Sequence, residues 1–504
     1  MIARLSVLRA SRQWKFAFAA VLTLLALAGC KQEPLPFPGE GQELVVITHA
    51  GPLTYDDEGG APVGLEHDLV QMFAKELGVP VRFVVVPQYE MRQRLAQHEG
   101  HLAAGWLSPV LPSQNFVYSD SYLATRDVLV RHEASLPIRE LSQLRGQTVF
   151  AQQGSREYRV LRALQKQMPD LKVAEFRAGT PLDLLAAVAR REAEIALVDR
   201  AIMDIGLNYY PELQPGLEVG EAEPIAWAFP ADGDPELFKR AQAFIAKVRD
   251  SHALAMLRDR YLGHLERLSS LDVVTFIARM ESLLPKYQPL FQKAQEETGI
   301  DWRLLAALSY QESHWNPLNT SPTGVRGIMM LTEETADRLG VSNRLNPNES
   351  IIAGARYINL LKSYLPESTT EPDRTWQALA AYNIGPGHFN AARRLAGRKG
   401  VNGDSWFEMK KILPLLARPE YYANLKSGRA RGGEAVVLVE NVRLFYDILL
   451  RHQPSYRPLE PERLERISAQ AGEEATREAQ QATLRRGRGG LRQENKSGIR
   501  APVG

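Results

Sequence analysis

The 504-residue chain contains one cysteine, Cys30, so no intramolecular disulfide can form. The ten histidines are scattered, and with no cysteine pair no cluster is spaced to hold a metal, so neither a metal nor another cofactor is expected. Charge of one sign is also missing. A net charge of +2 argues against a strongly electrostatic partner such as nucleic acid. No glycine-rich phosphate cradle stands between a strand and a helix. The one marked apolar run, Phe16 to Ala28, is too short for a secure membrane span. What remains is a long chain, 44% apolar, with enough material for more than one packed core.

That apolar run follows Arg4, Arg9, Arg12 and Lys15, the pattern of a signal peptide over residues 1–29. It ends in Leu27-Ala28-Gly29-Cys30, which resembles the lipobox of bacterial lipoproteins. The resemblance implies that Cys30 carries a lipid and tethers the mature chain to a membrane without spanning it. Lys31 follows, where Asp would favour inner-membrane retention in that class. The expected place is therefore the periplasmic face of the outer membrane. Residues 30–42, rich in Pro, Gly, Gln and Glu, are expected to act as a tether.

Residues 43–268 alternate β-branched runs with helical patterns. Leu44–Ile47, Val81–Val86, Asp127–Val130, Thr148–Ala151 and Ile195–Val198 are expected as strands, and Leu65–Leu77 as an amphipathic helix. Gly64-Leu65-Glu66-His67-Asp68-Leu69, Tyr118-Ser119-Asp120-Ser121-Tyr122 and Gln152-Gln153-Gly154-Ser155 resemble segments of the extracellular solute-binding proteins of the polar amino-acid type. That resemblance implies a two-lobed α/β domain. Gly154 and Ser155 would offer backbone N–H groups to a ligand carboxylate, and Asp199 would hold a ligand amino group; a plain N-cap turn is the alternative at Gly154-Ser155. The family's carboxylate-clamping Arg is absent from Leu111-Pro112-Ser113-Gln114, and His67 and Ala103 also depart from the pattern. A cell-wall peptide is thus as natural a ligand as a free amino acid.

A connecting helix over 269–281 leads to an all-helical stretch, 282–452, in close contact with the first domain. In Asp301-Trp302-Arg303-Leu304-Leu305-Ala306-Ala307-Leu308-Ser309-Tyr310-Gln311-Glu312, Asp301 is a plausible N-cap. Leu305, Leu308 and Glu312 share one face. A carboxyl on an apolar face loses water and keeps its proton near neutral pH, as a general acid requires; a solvated or salt-bridged Glu at a helix end is the competing expectation. No second acid is comparably placed: Glu333, Glu334 and Glu349 read as first-turn helix residues. Residues 453–504 lack the apolar content for a core and are expected as a disordered tail.

Glu312-Ser313, Gly327-Ile328-Met329-Met330 and Ala381-Tyr382-Asn383-Ile384-Gly385 occur in order and together resemble the soluble-lytic-transglycosylase domain, a goose-lysozyme-like fold. The whole is therefore expected to be multidomain: a two-lobed α/β periplasmic-binding-protein-like domain followed by a mainly α lysozyme-like one. The resemblance implies cleavage of the β-1,4 bond between N-acetylmuramic acid and N-acetylglucosamine in peptidoglycan glycan strands, without water. Glu312 corresponds to the acid/base. Ser313, Ser321, Met330, Tyr382 and Asn383 fall at substrate-side positions, with Met329 and Met330 forming an apolar cleft wall and Asn383 holding its turn through its amide. Tyr382 could instead simply pack. Glu434 resembles a late acidic position, although Leu438 replaces the tyrosine that accompanies it. Two other functions stay open: a binding receptor with a non-catalytic glycan-binding domain, and a hydrolytic lysozyme.

Overall fold

The computed structural model describes residues 33–39, 41–57, 61–109, 114–265, 267–322, 324–423, 425 and 428–457. The expected signal peptide, Cys30, residues 111–113 and the tail beyond 457 lie outside the described residues.

The first lobe is a five-stranded sheet. Its strands are β1 (Leu44–Thr48), β2 (Val81–Val85), β3 (Leu102–Ala103), β4 (Phe116–Tyr118) and β10 (Ala228–Pro230), in the order β2-β1-β3-β10-β4. β1 runs parallel to β2 and β3, and its unbroken apolar run is buried throughout, as expected of a strand covered on both faces. Helices Leu65–Leu77 and Pro235–Asp250 pack Leu69, Phe73 and Phe244 against it. The second lobe holds β5 (Leu123–His132), β6 (Thr148–Gln152), β7 (Lys172–Phe176), β8 (Ile195–Asp199) and β9 (Leu213–Ile225), in the order β7-β6-β8-β5-β9.

The chain crosses between lobes twice, before β5 and after β9. The crossings are tied to each other: Tyr122 N–H donates to Ile225 O at 3.1 Å, and Ser119 N–H to Trp227 O at 2.9 Å. β9 carries Pro215, Gly216, Gly220 and Pro224, punctuation that hides a 13-residue strand from pattern reading. β5 tolerates it through register shifts at Thr125/Asp127 and Val128/Val130.

Helix Ser270–Ser282 opens the helical domain with a capping box between Ser269 and Asp272. At its centre lies helix Trp302–Ser313, with residues 302 through 310 all buried. A helix apolar on every side belongs inside, and here helices Leu284–Thr298, Pro347–Ser363 and Gly432–His452 surround it. This domain touches both lobes. Arg260 joins Asp68 of the first lobe (2.9 Å) to Asp373 (3.0 Å), the first residue of helix Asp373–Ile384. Arg451 donates to Asp183 (2.7 Å) and to the Tyr210 hydroxyl (2.8 Å) of the second lobe. No helix among the described residues is long and apolar enough to cross a membrane.

Candidate functional site

Helix Trp302–Ser313 starts where Asp301 accepts from Arg303 N–H at 2.8 Å, and it stops at two consecutive left-handed residues, His314 (φ 51°) and Trp315 (φ 59°). Trp315 folds back under the helix and its indole donates to Ala306 O at 2.8 Å. That stop places Glu312 in the last turn, where the helix's own dipole disfavours a negative charge. The side chain is half-buried, and dehydration pushes its pKa up to about 8, with no cation or hydrogen bond among the described residues offsetting the shift. At neutral pH Glu312 therefore holds its proton.

Tyr382 approaches from helix Asp373–Ile384. Its hydroxyl donates to Met329 O at 2.6 Å, and both burial and the nearby Glu312 carboxyl hold that hydroxyl far from ionising. Tyr357 lies against it, ring centroids 5.4 Å apart. Sequence reasoning missed Tyr357, because an aromatic on a helix carries no local mark of the neighbour it will pack against.

Segment 327–331 is clipped to the helix that carries Glu312. The Ser309 and Ser313 hydroxyls, one turn apart, donate to the same carbonyl of Ile328 at 3.1 and 2.8 Å. This corrects the expectation for Ser313: it is buried, and its hydroxyl is committed to Ile328 and to Ser309 O rather than to a sugar. Met329 is likewise fully buried against Gly354, so of the two methionines only Met330 reaches the surface, at φ 48°. Ser321 sits in the adjoining turn, where its hydroxyl accepts from Val325 N–H at 3.3 Å, and the turn is joined to the segment by Gly327 N–H donating to Asn319 O at 2.9 Å. Asn383 is exposed on the last turn of its helix and makes no side-chain hydrogen bond among the described residues, so its amide does not hold the turn. Glu434 is also exposed, paired with Arg431 at 3.3 Å. The buried acid of that helix is Glu440, which accepts from the Trp406 indole at 2.7 Å and from Arg443 at 3.0 Å.

The interlobe cleft departs further from expectation. Asp199 is buried, but it is already engaged: it accepts from Arg156 at 2.9 Å, from the Trp106 indole at 2.8 Å and from Ala201 N–H at 2.8 Å. Arg156 also bonds Asp127 through Nε at 3.0 Å and Glu157 at 3.1 Å, so its guanidinium fills the centre of an acidic trio. Burial first, then the Glu157 charge, pushes the Asp127 pKa up. Ser155 caps its helix by accepting from Tyr158 N–H at 3.1 Å. Gly154 meets the other lobe so closely that a Cβ there would lie 2.5 Å from Tyr89 Cα. Arg156 Nη1, Gln88 Oε1 and Gln152 Oε1 are buried around this cleft without a hydrogen-bond partner.

Residues 44–264 match the bacterial extracellular solute-binding proteins, family 3, and residues 289–403 match the transglycosylase SLT domain. Fold and site thus define a class: a solute-binding clamshell fused to an SLT-type helical domain. Among solved structures, an ancestral arginine-binding protein bound to arginine aligns over 44% of this chain and 98% of its own, at 21% identity and a TM-score of 0.40. Membrane-bound lytic murein transglycosylase F of Methylobacillus flagellatus is 44% identical over 448 residues, covering 87% of this chain and 95% of the relative. Its counterpart in Nitrosospira multiformis is 41% identical over 445 residues, covering 86% and 93%. The chain belongs to the membrane-bound lytic murein transglycosylase F family.

Proposed function

We propose that this protein is a peptidoglycan lytic transglycosylase in which Glu312 is the single acid–base group. The observation that carries the reading is the dehydrated, cation-free carboxyl of Glu312 beside Tyr382, in a domain matching the SLT family. The protonated acid delivers its proton to the glycosidic oxygen as the bond to muramic C1 breaks. The resulting carboxylate removes the proton of the muramic C6 hydroxyl, whose oxygen closes onto C1. Glu312 is thereby reprotonated, and no water is consumed. An internal nucleophile held close to its target gains several kcal/mol in effective concentration, which favours ring closure over hydrolysis. Met330, Ser321 and Asn383 line the substrate side, while Ser313 acts through the segment it clips.

Glu312→Gln is expected to lower turnover about a hundredfold or more while glycan binding persists. The products of the parent are expected to be lighter by one water than reducing ends. Parent-rate clearing of sacculi by the variant would remove the acid assignment, and reducing-end products would make the protein a hydrolase. Because the first step needs the acid form, the rate should fall as pH rises through about 8.

The front domain, in this reading, is a ligand sensor. Asp199 is spent on Arg156, so among the described residues the cleft offers no free carboxylate for an ammonium group. Its unmet atoms are amide oxygens and a guanidinium N–H, which suit peptide groups. A cell-wall peptide is therefore favoured over a free amino acid, and calorimetric titration with each class separates them. Cys30 carries the lipid that places the enzyme on the outer membrane's periplasmic face; the family name supports membrane association.

A further inference from the structure

The expected tether is a docked strap. Phe37 packs against the first lobe's core, with the Arg240 guanidinium 5.0 Å from its ring centroid, and Pro38 is buried. His101 rivets the strap to β1: its Nδ1 accepts from Val45 N–H at 2.9 Å, which leaves the proton on Nε2 to be donated to Pro36 O at 3.0 Å. Pro34 and Leu35 then form one side of an apolar hollow completed by Val117, Pro230, Pro235 and Phe238. Val117, on the edge strand β4, is 38% exposed.

Pro34 is four residue steps beyond Cys30. A fully extended chain advances at most about 3.6 Å per residue, so Pro34 lies within roughly 14 Å of the lipid attachment point. We propose that the strap seats the front domain on the bilayer with one face inward, the hollow and edge strand β4 meeting the lipid headgroups. This rests on Cys30 being the lipidated residue. Charge does not hold the face there, because the acids Asp232 and Glu236 (53% and 51% exposed) are balanced by Lys239 and Arg240 (81% and 50%). Orientation comes from the strap's packing, and the contact is insensitive to salt.

The test couples the mature chain, beginning at Cys30, through its only thiol to maleimide-headgroup lipid in phosphatidylcholine vesicles. Hydrogen exchange is compared with the thiol-capped soluble chain. Amides of 114–118 and 230–236 should exchange several-fold more slowly on vesicles, at low and high salt alike, while the turn around Leu136, 88% exposed on the second lobe, is unchanged. Replacing residues 33–38 by a Gly/Ser sequence should abolish that local protection without changing turnover. Uniform protection, or none, would overturn the proposal. Mass analysis of the N-terminal peptide from membrane-extracted protein tests the anchor separately. An unmodified Cys30 would remove the anchor, and with it the membrane-facing role, whatever the vesicles show.

Discussion

Glu312 stores a cost that can be read as a dependence of stability on pH. Its ordinary pKa is 4.5, and burial raises it to about 8 in the folded chain. Below about 4.5 both folded and unfolded chains are protonated, and the group costs nothing in ionisation. Between 4.5 and 8 the unfolded chain releases a proton that the folded chain keeps, so stability is lost as pH rises through that window. Glu312→Gln removes the dependence. At pH above 8 the variant should be more stable than the parent by on the order of a few kcal/mol once residual solvent contact is allowed for, read as a higher melting temperature. Below pH 4.5 the two should melt together. An equal difference at both pH values would mean that the variant acts through packing instead. Asp199 teaches a complementary lesson at the same scale: an acid's position can be anticipated while its occupancy cannot, because Arg156 is remote in sequence and adjacent in space.

At the scale of elements, segment 327–331 beside Glu312 is held from three helices. Ser309 and Ser313 clip its Ile328 carbonyl, the Ser350 hydroxyl accepts from Met329 N–H at 3.3 Å, and Tyr382 donates to Met329 O. Gly327 makes the turn possible at φ 88°, where a Cβ would stand 1.9 Å from Arg344 O. Gly327→Ala should therefore destabilise the fold by on the order of 2–4 kcal/mol, read as a fall in melting temperature. A variant as stable as the parent would show that the turn relaxes freely. Ser313→Ala should cost about 1 kcal/mol, with Ser309 still holding the carbonyl. Its loss of activity should stay well short of that of Glu312→Gln, since a clip can be shared and the proton donor proposed at Glu312 cannot.

At the scale of the whole chain, the clamshell closes on itself. The Trp106 indole reaches across the cleft to Asp199, while Trp106 N–H is held at 2.9 Å by buried Glu66, which also accepts from the Trp227 indole at 2.9 Å and from the Tyr122 hydroxyl. Trp106 keeps φ 57° to do this, a conformation bulky residues rarely adopt. Trp106→Phe removes this indole donor across the cleft and should open the lobes, raising the radius of gyration in small-angle scattering. An unchanged scattering curve would shift the closing role to the Tyr89–Gly154 approach. The helical domain grips both lobes through Arg260 and Arg451, so lobe movement strains one grip or the other. Turnover measured with and without cell-wall peptide should therefore differ, and an identical rate at saturating peptide would uncouple the domains.

Periodicity and capping signals lay within short windows, so strands β1, β2, β6 and β8, the middle of β5, the helix Leu65–Leu77 and the helix Trp302–Ser313 with its Asp301 cap were legible from residue order. The ordered motifs around Glu312, Met330 and Tyr382 pointed to the domain class in the same way. Strands β3, β4, β7, β9 and β10 were not legible, most being short or interrupted by Pro and Gly and all stabilised by partners distant in sequence. Tertiary structure alone decided which polar groups were already satisfied. Ser313 is consumed by Ile328, Asp199 by Arg156 and Trp106, and the supposed tether by Phe37 and His101. Burial and hydrogen bonding depend on neighbours that the chain brings together only on folding, and it is those neighbours that separate a free functional group from an occupied one.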